Sequence, residues 1–167
     1  ELDQTAARFV LPDGPCDMSE AVKESLAFLG VGDSRITYPL HAAVFRAPLN
    51  EAMPCDTALF LMGRTGVFKS VLTALAQSFY GHFEYNSLPG NWQSTVNSLE
   101  YMLHRLKDVV VTIDEFVRRG EVHEEVQKKL ERVVRSLANG SPRGRLSSDL
   151  SARPERPCRA LVIVTGE

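Results

Sequence analysis

Two short stretches hold the residue types best suited to chemistry. The first is GRTGVFKS, Gly63 to Ser70. A phosphate-binding loop wants glycine, four residues, glycine, lysine, then serine or threonine. Gly63, Lys69 and Ser70 stand at matching positions, and Gly66 adds a second flexible point within the loop. Backbone N–H groups of Gly63, Arg64, Thr65, Gly66, Val67, Phe68, Lys69 and Ser70 would converge on phosphate oxygens at a helix N-terminus. The lysine would reach the terminal phosphates and the Ser70 hydroxyl would serve Mg²⁺. Phe68 occupies the place usually held by glycine. It needs a backbone conformation that a β-carbon tolerates. Its ring is expected to point away from the phosphates and to pack on apolar neighbours.

The second stretch is VVVTIDEF, an apolar run ending in Asp114 and Glu115. Asp114 suits a Mg²⁺ ligand, directly or through water. Glu115 suits the orientation or deprotonation of an attacking water. Asp114 follows Lys69 by 45 positions, room for a helix, a short strand and another helix. The two motifs in this order are far more specific than either alone. The adjacent acids favour additional-strand ATPases, the AAA+ group and superfamily 3 helicases, over small-molecule kinases, which need no acid to activate water. The following apolar run then takes the sensor position, with Thr165 at its tip able to touch the γ-phosphate or the water.

Before that run lies NGSPRGRLSSDLSARPERPCR. Arg143, Arg145, Arg153, Arg156 and Arg159 face only Asp149 and Glu155 there. A loop this long in a compact domain usually has a use or is disordered. Superfamily 3 helicases carry a DNA-contacting hairpin between these motifs, and the expectation is a loop near the ligand-binding edge that contacts DNA or a neighbouring subunit. His41, His82, His104 and His123 show no ligand spacing and read as structural. Trp92 reads as a packing anchor.

The positioning elements follow from periodicity. Ser19 is an N-cap candidate for a short helix ending at Gly30 or Gly32. YPLHAAVFRAPL predicts a second helix with Pro39 in its first turn and Pro48 at its end. TALFLMG predicts a strand, and Ser70 to Tyr80 a helix buried against a sheet. A helix capped by Ser94 or Thr95 places Leu99, Met102, Leu103 and Leu106 on one side. Val122, Val126, Leu130, Val133 and Leu137 form one stripe of another helix. ALVIVTG predicts a third buried strand. Uninterrupted apolar strands alternating with helices imply a parallel sheet covered by helices on both faces. Right-handed crossovers bring the strand C-terminal ends to one edge, where ligands bind.

Bulk composition limits the alternatives. The 167 residues suffice for one domain with a real core, and a net charge of −2 supplies no global field toward nucleic acid or membrane. Cys16, Cys55 and Cys158 are widely spaced and form no CxxC pair, which argues against a zinc site or a disulfide framework and for a reducing, cytoplasmic setting. No apolar run reaches the roughly 18 residues that span a bilayer, and no signal-peptide pattern is present. The chain opens at Glu1 and stops at IVTGE, so it reads as a piece of a longer protein, truncated after the sensor strand.

Taken together, RAPL (46–49), GRTGVFKS (63–70), LPGNWQSTVNSLE (88–100), KDVVVTIDEF (107–116), NGSPRGR (139–145) and VTGE (164–167) resemble a bacterial family. It comprises phosphate-loop ATPases of mobile genetic elements, many known only as domains of unknown function, with helicase-like relatives beside or fused to primase–polymerase modules. The resemblance runs from about residue 39 to the end and implies an α/β, AAA+-like P-loop NTPase core over residues 39–167. Residues 1–38 form a helical lead-in. It implies that a bulky residue before the lysine is tolerated, that Lys69, Ser70, Asp114 and Glu115 hold ATP and Mg²⁺, and that Arg143 and Arg145 belong to an arginine motif. The expected function is a helicase-like motor or switch in mobile-element DNA replication, forming a ring through an arginine supplied in trans. A non-hydrolysing nucleotide-gated interaction module and a small-molecule kinase are the alternatives.

Overall fold

The computed structural model describes residues 2–54, 56–116, 123–139 and 156–167. Four parallel strands form one sheet: β1 (Ala58–Met62), β2 (Gly90–Asn91), β3 (Val110–Phe116) and β4 (Leu161–Gly166), in the order β1-β4-β3-β2. The last strand in sequence therefore lies between the first and third. β3 and β4 are buried on both sides over most of their length, with Val110, Val111, Ile113, Val162 and Ile163 fully enclosed. This is why they appear in the sequence as continuous apolar runs rather than alternating ones.

Helices cover both faces. On one face, α3 (Ser34–Arg46) and α4 (Lys69–Gln77) pack Leu40, Val44 and Ala76 against Val110, Leu161 and Ile163. On the other, α5 (Val96–Arg105) and α6 (His123–Asn139) pack Leu99, Leu103, Val133 and Leu137 against Val111, Ile113, Val162 and Val164. Among the stripe residues expected on α6, Val126, Val133 and Leu137 are buried and Leu130 is partly so. Val122 lies outside the described residues.

Several boundaries differ from expectation. α2 (Met18–Ala27) is capped by Asp17, whose carboxylate accepts from the N–H of Ser19 and Glu20, so Ser19 is inside the helix and not its cap. α3 begins at Ser34, capped by Asp33, and runs through Pro39. Pro39 is thus at the sixth helical position, where it removes only one i→i−4 bond near the helix start. Thr95, of the two candidates, caps α5 through the N–H of Ser98. A short helix, α1 (Leu2–Ala6), precedes these in a segment with little sequence periodicity. The lead-in is packed onto the core: Phe28 is buried with Leu40, and Phe9 meets the Phe83 ring edge-on at 4.9 Å.

One polar side chain locks α4 to the sheet. Gln77 is fully buried; its Oε1 accepts from the N–H (3.0 Å) and hydroxyl (3.2 Å) of Thr112, and its Nε2 donates to the carbonyl of Val110. β2 pairs with β3 only at Ile113 and Asp114, so Gln77 serves backbone groups that this two-residue strand does not reach. Gln77→Ala is expected to cost about 3 kcal/mol, because it leaves a cavity and several unpaired buried polar groups. A urea midpoint equal to wild type would contradict this role.

Candidate functional site

The C-terminal ends of the strands bring the two chemical stretches together. β1 leads into the Gly63–Ser70 loop, and α4 starts at Lys69, so the loop's N–H groups belong to a helix N-terminus. β3 ends in Asp114 and Glu115 one strand beyond β4. Gly63 N–H donates to the Gly166 carbonyl at 3.1 Å, tying the loop to the tip of β4. Gly166 cannot carry a side chain, since a β-carbon there would lie 2.3 Å from the Phe116 carbonyl oxygen. The close approach of β3, β4 and the loop depends on it.

Side chains knit the same edge. The Lys69 ammonium donates to the carbonyls of Gly63 and Arg64, both at 2.8 Å, so it sits in the mouth of the loop. Ser70 Oγ donates to Asp114 Oδ1 at 3.2 Å. The same oxygen accepts from the Glu115 N–H at 2.9 Å and from the Thr165 hydroxyl. Oδ1 is thereby held by three donors. Thr165 is buried and directs its hydroxyl to Asp114, and at this strand tip the cleft is lined by Gly166 and Glu167. The Thr165 hydroxyl thus helps to fix Asp114 at the strand tip where the sequence places it. Thr65 donates its hydroxyl to Glu167.

Two residues here have left-handed backbones. Phe68 (φ 60°, ψ 23°) immediately precedes α4, and Glu115 (φ 65°) sits where the β3–β4 register shifts between Ile113 and Phe116. Left-handed conformations at residues with a β-carbon are strained and cluster at functional positions. At Glu115 the irregularity directs the carboxylate toward β2, where Oε2 accepts from Asn91 Nδ2 at 2.6 Å. Asn91 Oδ1 accepts in turn from the Gln93 N–H at 2.7 Å. Sequence reasoning missed Asn91, because a two-residue strand has no apolar run to announce it.

Phe68 differs from expectation. Its ring is 72% exposed and lines the cleft with Lys69 and Ser70 instead of packing into apolar neighbours. The left-handed φ also explains why glycine is the usual residue at this point of such a loop. Phe68→Gly is therefore expected to raise stability by about 1 kcal/mol, by relieving backbone strain while sacrificing little burial. Chemical denaturation checks this; a destabilisation would show that the ring is packed in solution.

The cleft has a volume of about 1240 Å³. Beyond the loop and the acids it is walled by Tyr85 before β2, by Trp92 and Gln93 after it, and by Glu125, Val126 and Lys129 of α6. This exceeds the usual range of a small-molecule pocket, roughly 300–1,000 Å³. Trp92 is buried against Phe116, edge to face at 5.9 Å, as a packing anchor should be.

Only the end of the arginine segment, from Arg156, belongs to the described residues. Arg143, Arg145 and Arg153 lie outside the described residues. The described flank is anchored at the N-terminal edge of the sheet. His104 Nδ1 and the Pro157 carbonyl are 2.9 Å apart, Arg159 Nε donates to the His104 carbonyl at 2.7 Å, and Asp108 N–H donates to the Arg159 carbonyl at 2.9 Å. The Arg156 guanidinium lies over the Tyr101 ring at 5.0 Å. These residues precede β3 and β4, so the chain enters β4 at the edge opposite the cleft. The expected position of the loop near the ligand-binding edge falls on residues 140–155, which lie outside the described residues.

Two further histidines have local partners: His41 Nε2 is 3.0 Å from Ser25 Oγ, and His82 is 3.6 Å from Glu84, while the side chain of His123 lies outside the described residues. Among the described residues no cluster of three or more His, Cys, Asp or Glu could hold a metal ion, and no helix is long and apolar enough to cross a membrane.

Fold and site together define an α/β protein with a glycine-containing loop and an acidic strand tip at one edge of a parallel sheet. The chain belongs to the family described as Domain of unknown function (DUF927), whose model matches residues 22–156. No curated protein matches it. Among solved structures it is similar to one titled "SCCmec type IV Cch - active helicase", with a TM-score of 0.49 and 16% identity. That match covers 91% of this chain and 27% of the helicase chain.

Proposed function

We propose that this chain is an ATP-binding and ATP-hydrolysing domain of the P-loop, AAA+-like type, acting as the motor or switch of a helicase-like protein in mobile-element DNA replication. The observation that carries the ATP reading is the convergence of Lys69, Ser70 and Asp114 on one loop mouth: the ammonium is 2.8 Å from two loop carbonyls and the serine hydroxyl 3.2 Å from the carboxylate. The donor set fits Mg²⁺ with phosphate, which is bound by a hydroxyl, one carboxylate, waters and phosphate oxygens and not by a dedicated protein cage. Asp114 Oδ1 is engaged by its three donors, and Oδ2 takes no hydrogen bond among the described residues, so it is the oxygen presented to a cation or its water. When bound, Mg²⁺ supplies neutralisation of phosphate charge.

The chain's own residues divide the remaining work. Loop N–H groups and the α4 N-terminus bind the phosphates, and Lys69 leaves its loop carbonyls for phosphate oxygens of greater charge. Glu115, steadied by Asn91, accepts a proton from the attacking water at a carboxylate oxygen. Thr165 and Ser70 keep Asp114 in register. β4 lying between the loop strand and the acid strand supports the additional-strand assignment.

The helicase-like role draws on the family resemblance and on the arginine segment. In sequence Arg143, Arg145, Arg153, Arg156 and Arg159 outnumber Asp149 and Glu155, and such a basic segment suits contact with DNA or a neighbouring subunit. Ring formation belongs to the same proposal. ATP turnover by the full-length protein, measured with and without single-stranded DNA, tests it. Stimulation by DNA is the expected result. Binding without turnover would leave a nucleotide-gated switch, and turnover dependent on a small phosphoryl acceptor would indicate a kinase.

A further inference from the structure

α6 buries Val126, Val133 and Leu137, and Lys129 stands three residues after the first and four before the second. This places it on the inward stripe of the helix. Its side chain is only 15% exposed, while that of the adjacent Lys128 is 77% exposed. Packing contacts along the stem account for a buried lysine stem but not for the direction of its head, since lysine heads normally reach for water. The Lys129 ammonium instead lies 3.2 Å from Glu125 Oε1 and donates to the Trp92 carbonyl in a long bond of 3.4 Å. Glu125 is itself 72% exposed, so this ion pair is well solvated and does little to explain the placement.

The surroundings do explain it. Lys129 and Glu125 line the same cleft as Lys69, Ser70, Asp114 and Glu115. The loop of Lys69 follows β1, at one end of the sheet order, and Trp92 follows β2, at the other end. The cleft thus carries a cation on each of two separated walls, with Asp114 and Glu115 between them. A polyanion with its terminal group near Glu115 would meet Lys69 from one side and Lys129 from the other.

We propose that Lys129 is a second cation for the terminal phosphate of a bound nucleoside triphosphate, and so distinguishes the triphosphate from the diphosphate. This rests on the ATP reading above. Lys129 acts as a binding residue from the α6 wall, exchanging the solvated Glu125 carboxylate for an oxygen of the more highly charged terminal phosphate.

Equilibrium titration of the full chain with fluorescent ATP and ADP analogues tests the proposal without relying on turnover. Lys129→Met retains the apolar stem. It is expected to weaken ATP-analogue binding about tenfold, the loss of roughly one charge-assisted hydrogen bond, and ADP-analogue binding less than about twofold. Lys129→Arg is expected to keep the wild-type preference. An unchanged ATP-to-ADP ratio in Lys129→Met, or equal weakening of both, would overturn the proposal. If that variant does not fold, Lys129→Gln is read by the same criteria. Lys69→Ala separates the two levels: undiminished ATP binding in it would overturn the ATP reading itself, whatever the Lys129 variants do.

Discussion

Glu115→Gln is expected to bind ATP like wild type and to hydrolyse it about 10²–10⁴ times more slowly, the range that general-base catalysis commonly contributes. The substitution is close to isosteric. The glutamine carbonyl oxygen can still accept the Asn91 Nδ2–H that now meets Oε2 at 2.6 Å. The strained backbone at φ 65° and the Asp114 contact to the Glu115 N–H need not change. What disappears is an oxygen able to accept a proton from water. Stopped-assay phosphate release with a parallel binding titration separates the two effects. Equal turnover in mutant and wild type would remove Glu115 from the reaction and reduce the strand tip to a metal-binding surface.

The second large effect is at Lys69. Lys69→Ala removes the ammonium that bridges the Gly63 and Arg64 carbonyls at the loop mouth. A lysine on the terminal phosphates makes at least two charge-assisted contacts, at about 1.5–3 kcal/mol each. Affinity for ATP should therefore fall by at least about 100-fold. The fold should survive, because Lys69 is at the helix start, only partly buried, and its bonds are local. An unchanged urea transition together with lost binding is the expected pair of results. Undiminished affinity would mean that phosphate is bound elsewhere.

Much of this was readable in the residues themselves. β3 and β4 are apolar runs of strand length because they are interior strands between helical layers, β1 is an apolar run at the sheet edge with Leu59 and Leu61 packed on one layer, and Lys69, Ser70, Asp114 and Glu115 meet at one edge because parallel connections leave no other arrangement. The unread parts share a physical cause: they depend on single contacts between distant residues. Gln77 looks like one more position of a helix until its amide is seen bonding Thr112 and Val110. Asn91 becomes relevant only through a β-irregularity that turns Glu115 toward it. The Thr165 hydroxyl meets Asp114, a carboxylate 51 residues earlier in the chain. Phe68 was the hardest case. Its type suggested burial, whereas its left-handed backbone and 72% exposure are set by the loop it belongs to.

Whether the cleft takes Mg²⁺ and ATP together is the most direct test of the nucleotide site. Calorimetric titration of the wild-type chain with ATP, once with Mg²⁺ and once with a chelator, measures this. Saturable one-site binding that weakens sharply without Mg²⁺ is the predicted result, since Ser70 and Asp114 contribute only through the cation. No saturable heat in either condition, or equal affinity in both, would contradict the assignment of Lys69, Ser70 and Asp114 as a nucleotide site.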